Sequence, residues 1–283
     1  MPRTATFTRL ALALAFIATV APAHALPDDL PGPDGLLPEP SSAPPLLPAA
    51  PDAAAAARYA AAAAYSRKYG GRALLVVDGD RLVFEDYENG HEAERAHHLW
   101  SGTKTFMCAL VAAAAADHRF DLDTRLDAHL PDLDKRRAAL TVRDLLSLSS
   151  GLSESGEILT TDMLRARPKV RDKEAWALRE ITAQYLPGER FRYAASPFVF
   201  LAALARRALD EDLITYLDRR VFAPIGMRQS NWLRDEAGRP FFSFGAYATA
   251  RGWARFGMLL RDDGRFLGRE ILPPGLLHRC FEP

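Results

Sequence analysis

The sequence predicts an α+β protein: a helix, then a β-hairpin, then almost nothing but helix. Three observations carry that order. An alanine-rich run follows Asp52 and stops at Gly70-Gly71. Asp78-Gly79 separates two short apolar runs. From Ser101 onward, most segments between turn signals carry helical patterns.

Each element has a local reason. The Asp52 carboxylate can accept the free N–H groups of a first helical turn, so a helix is expected from there towards Tyr69. Ala73-Leu74-Leu75-Val76-Val77 and Arg81-Leu82-Val83-Phe84 flank Asp78-Gly79, a strong hairpin signal. A polar loop, 88–97, leads to a buried helix that opens at Ser101 and continues through Phe106-Met107-Cys108-Ala109-Leu110-Val111. Leu122, Leu126 and Leu130 space a short segment that Pro131 stops. Thr141 reads as an N-cap, with Asp144 completing a capping box, and Ser150-Gly151 closes that helix. Residues 174–185 are helical by pattern, and Pro187-Gly188 turns the chain. An apolar helix is expected over 198–209, an amphipathic one over 213–222 bounded by Pro224, and another over 248–260 weakened by Gly252. Ile271 begins a last short element.

Composition bounds the function. The chain has 283 residues, 48% hydrophobic and 25% charged, with zero formal net charge, which are ordinary globular values. No basic stripe is interleaved with aromatics, so nucleic acid is not an expected partner. Arg3 and Arg9 precede an apolar run, 10–20, too short to span a bilayer, and Ala23-His24-Ala25 fits the small-x-small cleavage rule. Residues 1–25 therefore read as a signal peptide cleaved before Leu26, and the mature protein is expected in a periplasm or outside the cell with no stable membrane anchor. Residues 26–51, rich in Pro and Ala, read as a linker, and 52–283 as the functional domain. Cys108 reads as a buried helix residue and Cys280 lies near the end; they are expected not to pair, although an oxidising compartment permits a bridge.

The chemistry concentrates at Ser101-Gly102-Thr103-Lys104. Residues three apart share a helical face, so Lys104 lies beside Ser101. A serine hydroxyl needs a base to become a nucleophile, and a desolvated lysine can be one because burial lowers its pKa. The bland alternative is an N-cap serine with a solvated lysine. His91, Glu92, Glu94, His97 and His98 offer metal-ligand chemistry, but Arg95 stands where a His-Glu-x-x-His motif needs its second histidine, so a solvated loop is expected. Trp100 and Trp253 are expected in the core. Gly151-Leu152-Ser153-Glu154-Ser155 is not a Gly-x-Ser-x-Gly elbow, which argues against an α/β-hydrolase.

Several motifs in order resemble the serine β-lactamase and penicillin-binding-protein superfamily, in its class C-like branch with D-alanyl-D-alanine carboxypeptidases, family VIII esterases and 6-aminohexanoate-oligomer hydrolases. They are Leu99-Trp100-Ser101-Gly102-Thr103-Lys104, Leu122-Asp123 through Leu130-Pro131-Asp132-Leu133, and Leu140-Thr141-Val142-Arg143-Asp144-Leu145-Leu146 with Ser149-Ser150-Gly151-Leu152. Pro187-Gly188-Glu189-Arg190-Phe191-Arg192-Tyr193, Pro224-Ile225-Gly226-Met227, and Ala248-Thr249-Ala250-Arg251 with Ala254-Arg255-Phe256-Gly257 follow. The resemblance implies an antiparallel sheet with flanking helices and an inserted helical subdomain. It implies Ser101 as nucleophile, Lys104 as its proton acceptor, and Tyr193, delivered by a turn and strand, as general base or proton donor to the leaving group. The Ser101 backbone N–H would serve as an oxyanion donor, and no cofactor or metal is implied.

Two departures shape the expectation. Where the family often has Tyr-x-Asn, this chain has Tyr193-Ala194-Ala195, and Ser196, one residue late, is a weak substitute. Ester hydrolysis is therefore expected to exceed β-lactam hydrolysis. A Lys-Thr-Gly or His-x-Gly third motif is absent, so the C-terminal strands are expected to be missing, with low stability and weak activity as the consequence. The expected function is an exported serine hydrolase that cleaves an ester or amide of a small or peptide-like molecule through acyl-Ser101. The alternatives are an inactive remnant or binding module of the same fold, and a β-lactamase or D-Ala-D-Ala carboxypeptidase.

Overall fold

The computed structural model describes residues 45–155, 169–227 and 229–280, so the signal-peptide reading of 1–25 and most of the linker reading lie outside the described residues. The first described strand, β1 (Leu47–Pro48), falls at the end of the stretch read as linker and pairs parallel to a strand of the hairpin. Helix α1 (Ala53–Lys68) follows, with the Asp52 carboxylate accepting the Ala55 N–H at 2.7 Å. The expected hairpin is β2 (Ala73–Asp78) and β3 (Arg81–Tyr87), antiparallel, with a register shift between Val76 and Val77. The sheet order is β1-β3-β2, so β1 covers the edge of β3 away from β2.

Strand β4 (His97–His98) leads directly into the serine turn. The turn itself, Trp100–Lys104, is a 3₁₀ helix rather than the first turn of an α-helix. It runs straight into α2 (Thr105–Ala116), in which every residue from Phe106 to Ala114 is buried. A helix that is apolar all round belongs at the centre of a domain, and α2 is the centre of this one. Phe106 meets Phe222, Trp232, Trp253 and Phe256 with ring centroids 4.7–5.9 Å apart. Edge-on contacts of this kind add stabilisation beyond area burial.

The helical part is broken into short pieces: α3 (Lys135–Ala138), α4 (Val142–Leu146), α5 (Lys173–Glu180), α6 (Ser196–Leu209), α7 (Leu213–Leu217) and α8 (Ala223–Ile225). The Thr141–Asp144 capping box forms as expected. Three readings need correction. Helix α5 stops at Glu180, and Ala183 instead bridges Leu152 in an antiparallel pair, because Ser153 and Thr182 satisfy each other's backbone (Ser153 N–H to Thr182 O, 2.7 Å). Residues 188–195 form no strand; Tyr193 arrives on irregular chain. Pro224 does not end the helix before it: a π-turn, Asp218–Phe222, absorbs the mismatch, and α8 carries the proline in its first turn, where no N–H is needed.

A second sheet, β4-β6-β5, is formed with β5 (Gln229–Trp232) and β6 (Ala246–Ala248), neither of which is evident from periodicity. Helix α9 (Ala250–Arg261) starts two residues later than expected, capped by Thr249. The small hairpin β7 (Arg265–Phe266) and β8 (Arg269–Glu270) and helix α10 (Leu276–Arg279) complete the order. The cysteine reading is overturned: Cys108 of α2 and Cys280 are joined in a disulfide, with Cα atoms 6.0 Å apart and a sequence separation of 172. Burial of Cys108 did not argue against pairing, because α10 packs directly on α2 and brings Cys280 to it.

Candidate active site

The serine turn is held by the second sheet. Leu99 donates its N–H to the Ala246 carbonyl at 2.9 Å, and the Thr103 hydroxyl accepts the Ala246 N–H at 3.1 Å. Thr103 is fully buried, which is why a threonine can sit there only with such a partner. Trp100, just before Ser101, has φ +47°, a conformation costly for a bulky side chain. Its ring is fixed against His98 at 4.3 Å and Phe244 at 6.3 Å. Neighbouring packing thus over-determines the turn that presents Ser101.

The Lys104 Nζ lies 3.1 Å from the Ser101 Oγ and donates to the Ser243 carbonyl at 2.6 Å. The Tyr193 ring centroid is 4.9 Å from the same Nζ, and that of Phe198 5.5 Å. The three residues singled out in sequence, Ser101, Lys104 and Tyr193, are therefore brought together. Burial pushes the Lys104 ammonium below its usual range, against the opposing pull of the Tyr193 hydroxyl and the Glu154 carboxylate. A lysine so placed has a larger neutral fraction than a solvated one and can take a proton from Ser101. The Ser101 N–H stands at the start of its turn, where a helix supplies no acceptor of its own.

Tyr193 is placed by the Ser149-Ser150-Gly151-Leu152 segment. Gly151 has φ +73° and no room for a Cβ, which would run into the Tyr185 carbonyl. Its own carbonyl accepts the N–H groups of Gln184 and Tyr185 at 2.8 and 3.2 Å. Gly188 donates to Ser149 at 2.9 Å, and Arg192 to Leu148 at 2.8 Å. The chain from 184 to 193 is thereby stitched to this segment immediately before the tyrosine.

Two residues of the site escaped sequence reasoning. One Glu154 carboxylate oxygen accepts the N–H groups of Ala195 and Ser196 at 3.0 and 3.1 Å, capping α6 just beyond Tyr193. The Ser196 hydroxyl lies 2.9 Å from both that oxygen and the Ser153 carbonyl, so it turns away from Lys104 and does not replace the missing asparagine. The second is Ser243, which acts through its carbonyl, an atom no residue type can signal. Gly245 makes that loop possible, since a Cβ there would lie 2.8 Å from the Phe241 carbonyl.

Of the polar loop, His91 faces His97 edge-on at 5.6 Å, and burial, then the charges of His97, Arg95 and Arg72, push His91 down to about 4. His98 gives its ring Nε2 to the Phe244 carbonyl at 2.5 Å. His98, buried rather than solvated as expected, packs on Trp100, whose segment leads into the serine turn. Trp253 is half-buried and packs edge-on against Phe106 at the margin of the core rather than within it, and Trp100 is half-buried too.

A family model described as beta-lactamase matches residues 52–276. The chain belongs to that family. A D-aminopeptidase of Brucella anthropi is 31% identical over 143 residues, covering 49% of this chain and 26% of its own length. A D-aminopeptidase of Brucella canis is 30% identical over 179 residues, 59% of this chain and 34% of its own. The chain thus spans about a quarter to a third of the length of these curated relatives. Among solved structures, a β-lactamase/D-alanine carboxypeptidase from Pseudomonas syringae superposes with a TM-score of 0.60 at 17% identity, covering 81% of this chain and 69% of that one. The octameric penicillin-binding protein homologue from Pyrococcus abyssi gives 0.61 at 17%, covering 81% and 59%. A provisionally assigned 6-aminohexanoate-dimer hydrolase from Bacillus anthracis gives 0.68 at 22%, covering 86% and 69%. These establish a β-lactamase/transpeptidase-like α+β fold, and with the family, a serine hydrolase by resemblance.

Proposed function

We propose that the protein cleaves an ester or amide of a small, peptide-like molecule through an acyl-Ser101 intermediate. The observation that carries this reading is the half-buried Lys104 amine 3.1 Å from the Ser101 Oγ. Ser101 attacks the acyl carbonyl while Lys104 takes its proton; the developing oxyanion meets the Ser101 N–H; Tyr193 returns a proton to the leaving group. Water then hydrolyses the acyl-enzyme. Ala195 offers no side-chain amide to a β-lactam, so ester turnover exceeds nitrocefin turnover. The D-aminopeptidase relatives make N-terminal D-amino acid amides the first amide substrates to try.

The test is covalent. A fluorophosphonate should label Ser101, identified by peptide mass spectrometry, and short p-nitrophenyl esters should be hydrolysed. Ser101→Ala should lose both. A label confined to another serine would refute the assignment.

Export belongs to the same proposal. The Cys108–Cys280 bridge supports it, since disulfides persist in oxidising compartments. N-terminal sequencing of protein recovered from the periplasm or medium should begin at Leu26; recovery only from the cytoplasm with Met1 intact would count against it.

A further inference from the structure

Helix α6 begins at the candidate active site, and its own sequence gives it no cap. The residue before it is Ala195, which has no side-chain acceptor for the free N–H groups of a first turn. Asp52, Thr141, Asp172, Asp212 and Thr249 each cap the helix that starts at the next residue. For α6 the acceptor comes from 41 residues earlier: one oxygen of Glu154 takes the N–H groups of Ala195 and Ser196 and lies 2.9 Å from the Ser196 hydroxyl. A cap at position 195 would close the helix and tie it to nothing. From position 154 it ties the start of α6 to the segment that already holds the chain before Tyr193.

The two ties bracket the tyrosine. On one side the Leu148 carbonyl accepts the Arg192 N–H at 2.8 Å; on the other, Glu154 accepts the Ala195 N–H at 3.0 Å. Only Tyr193 and Ala194 lie between these anchors, and both anchors belong to residues 148–154. Tyr193 is exposed, so packing does not fix it, yet its ring stands 4.9 Å from the Lys104 Nζ. The carboxylate also acts on that amine by charge. Burial lowers the Lys104 pKa, and Tyr193 and Glu154 pull it back up. The other groups placed at Lys104 are the Ser101 hydroxyl, the Ser243 carbonyl and the Phe198 ring, none of them charged.

We propose that Glu154 is a positioning residue of this site: its carboxylate clamps the chain just past Tyr193, keeps the tyrosine at Lys104 and supplies the negative charge that faces the amine. The inference rests on the reading of Ser101, Lys104 and Tyr193 as the reacting groups. Glu154 itself touches no substrate and works through the tyrosine and the lysine.

Lys104 can be followed directly by NMR in the intact protein with an isotope label at the lysine ε-carbons. The signal missing from Lys104→Met is that of Lys104, and the Tyr193 ring beside it sets part of its shift. Glu154→Ala should move this signal to where Tyr193→Leu places it. Glu154→Gln keeps an acceptor and loses the charge, so the protonated signal should stay near its original shift and titrate at lower pH. Neither measurement needs turnover, so their failure is distinct from failure of the acyl-Ser101 reading, which the fluorophosphonate label decides. With a p-nitrophenyl ester, Glu154→Ala should lower kcat by about ten-fold or more with KM changed by less than about two-fold, and Glu154→Gln should recover most of that loss. In a Tyr193→Phe background Glu154→Ala should cost little more, because no hydroxyl remains to be misplaced. If circular dichroism shows Glu154→Ala misfolded, the Glu154→Gln titration decides alone. An unmoved Lys104 signal in folded Glu154→Ala, an unchanged Lys104 titration in Glu154→Gln, or a kcat loss fully additive with that of Tyr193→Phe overturns the proposal.

Discussion

The two halves of the candidate site are built in opposite ways. Ser101 and Lys104 sit on a turn backed by α2, whose residues from Phe106 to Ala114 are all buried. Tyr193 sits on chain with little packing of its own: Tyr193 is 59% exposed, Phe191 73% and Leu186 64%. The first half is positioned by side-chain packing, the second by backbone hydrogen bonds to Leu148, Ser149 and Gly151. The Ser101–Lys104 geometry should therefore tolerate changes in the tyrosine segment, while tyrosine geometry depends on a few main-chain contacts. Local stability follows contact density, so the tyrosine segment should open first.

The largest expected effect breaks the packed half. Lys104→Met keeps the bulk and removes the amine, and kcat/KM for a p-nitrophenyl ester should fall by about 10³-fold or more with the fold intact. In the unaltered protein, the rate should rise with pH as the amine loses its proton, with a midpoint below the usual lysine value, because burial lowers that pKa. The unfolded chain binds the extra proton in the interval between the two values, so stability also rises with pH there. A rate independent of pH across that range would remove Lys104 from the role of base.

Next comes the backbone half. Gly151→Ala should destabilise by roughly 2 kcal/mol or more, because Ala at positive φ is strained and its Cβ meets the Tyr185 carbonyl. Tyr193→Phe should lower kcat by about 10²-fold and leave Tm unchanged. If Gly151→Ala lost stability but kept full kcat, the segment would not be positioning the tyrosine.

Cys280→Ser tests what holds the core half from outside. Loss of a bridge closing so long a loop should cost roughly 2–5 kcal/mol, read as a fall in Tm, with the reduced unaltered protein matching the variant. The smallest effect is expected at the tyrosine segment's surface. Phe191→Ser should change stability by no more than about 0.5 kcal/mol. A larger loss would mean that this exposed ring packs on something in solution.

The same contrast explains what could be read in advance. The hairpin, the capping box and α2 were legible because each rests on local chemistry: Asp78-Gly79, Thr141 with Asp144, an unbroken apolar run. Ser101 and Lys104 were legible because their spacing lies within one helical face. Glu154, Ser243 and the cysteine pair were not. Glu154 acts on residues 41 and 42 positions away, Ser243 through a carbonyl 139 positions from Lys104, and Cys280 across 172 residues. Strands β5 and β6 were missed because they are short and gain their identity from pairing, β6 with β4 and β5 with β6, not from alternation. Residues 174–185 looked helical throughout, but tertiary pairing with Leu152 and Ser153 overrode the pattern after Glu180.

The bridge between α2 and the chain beyond α10 also makes a covalent ring of everything between residues 108 and 280. A protease that cuts once anywhere on that ring opens it without separating the pieces. The serine, its lysine and the tyrosine segment would stay on one covalent particle, running as a single band until a reductant splits it in two. A nick in this protein is thus a change of topology before it is a loss of mass, and the Ser101 turn keeps its tether to α10 through the cut.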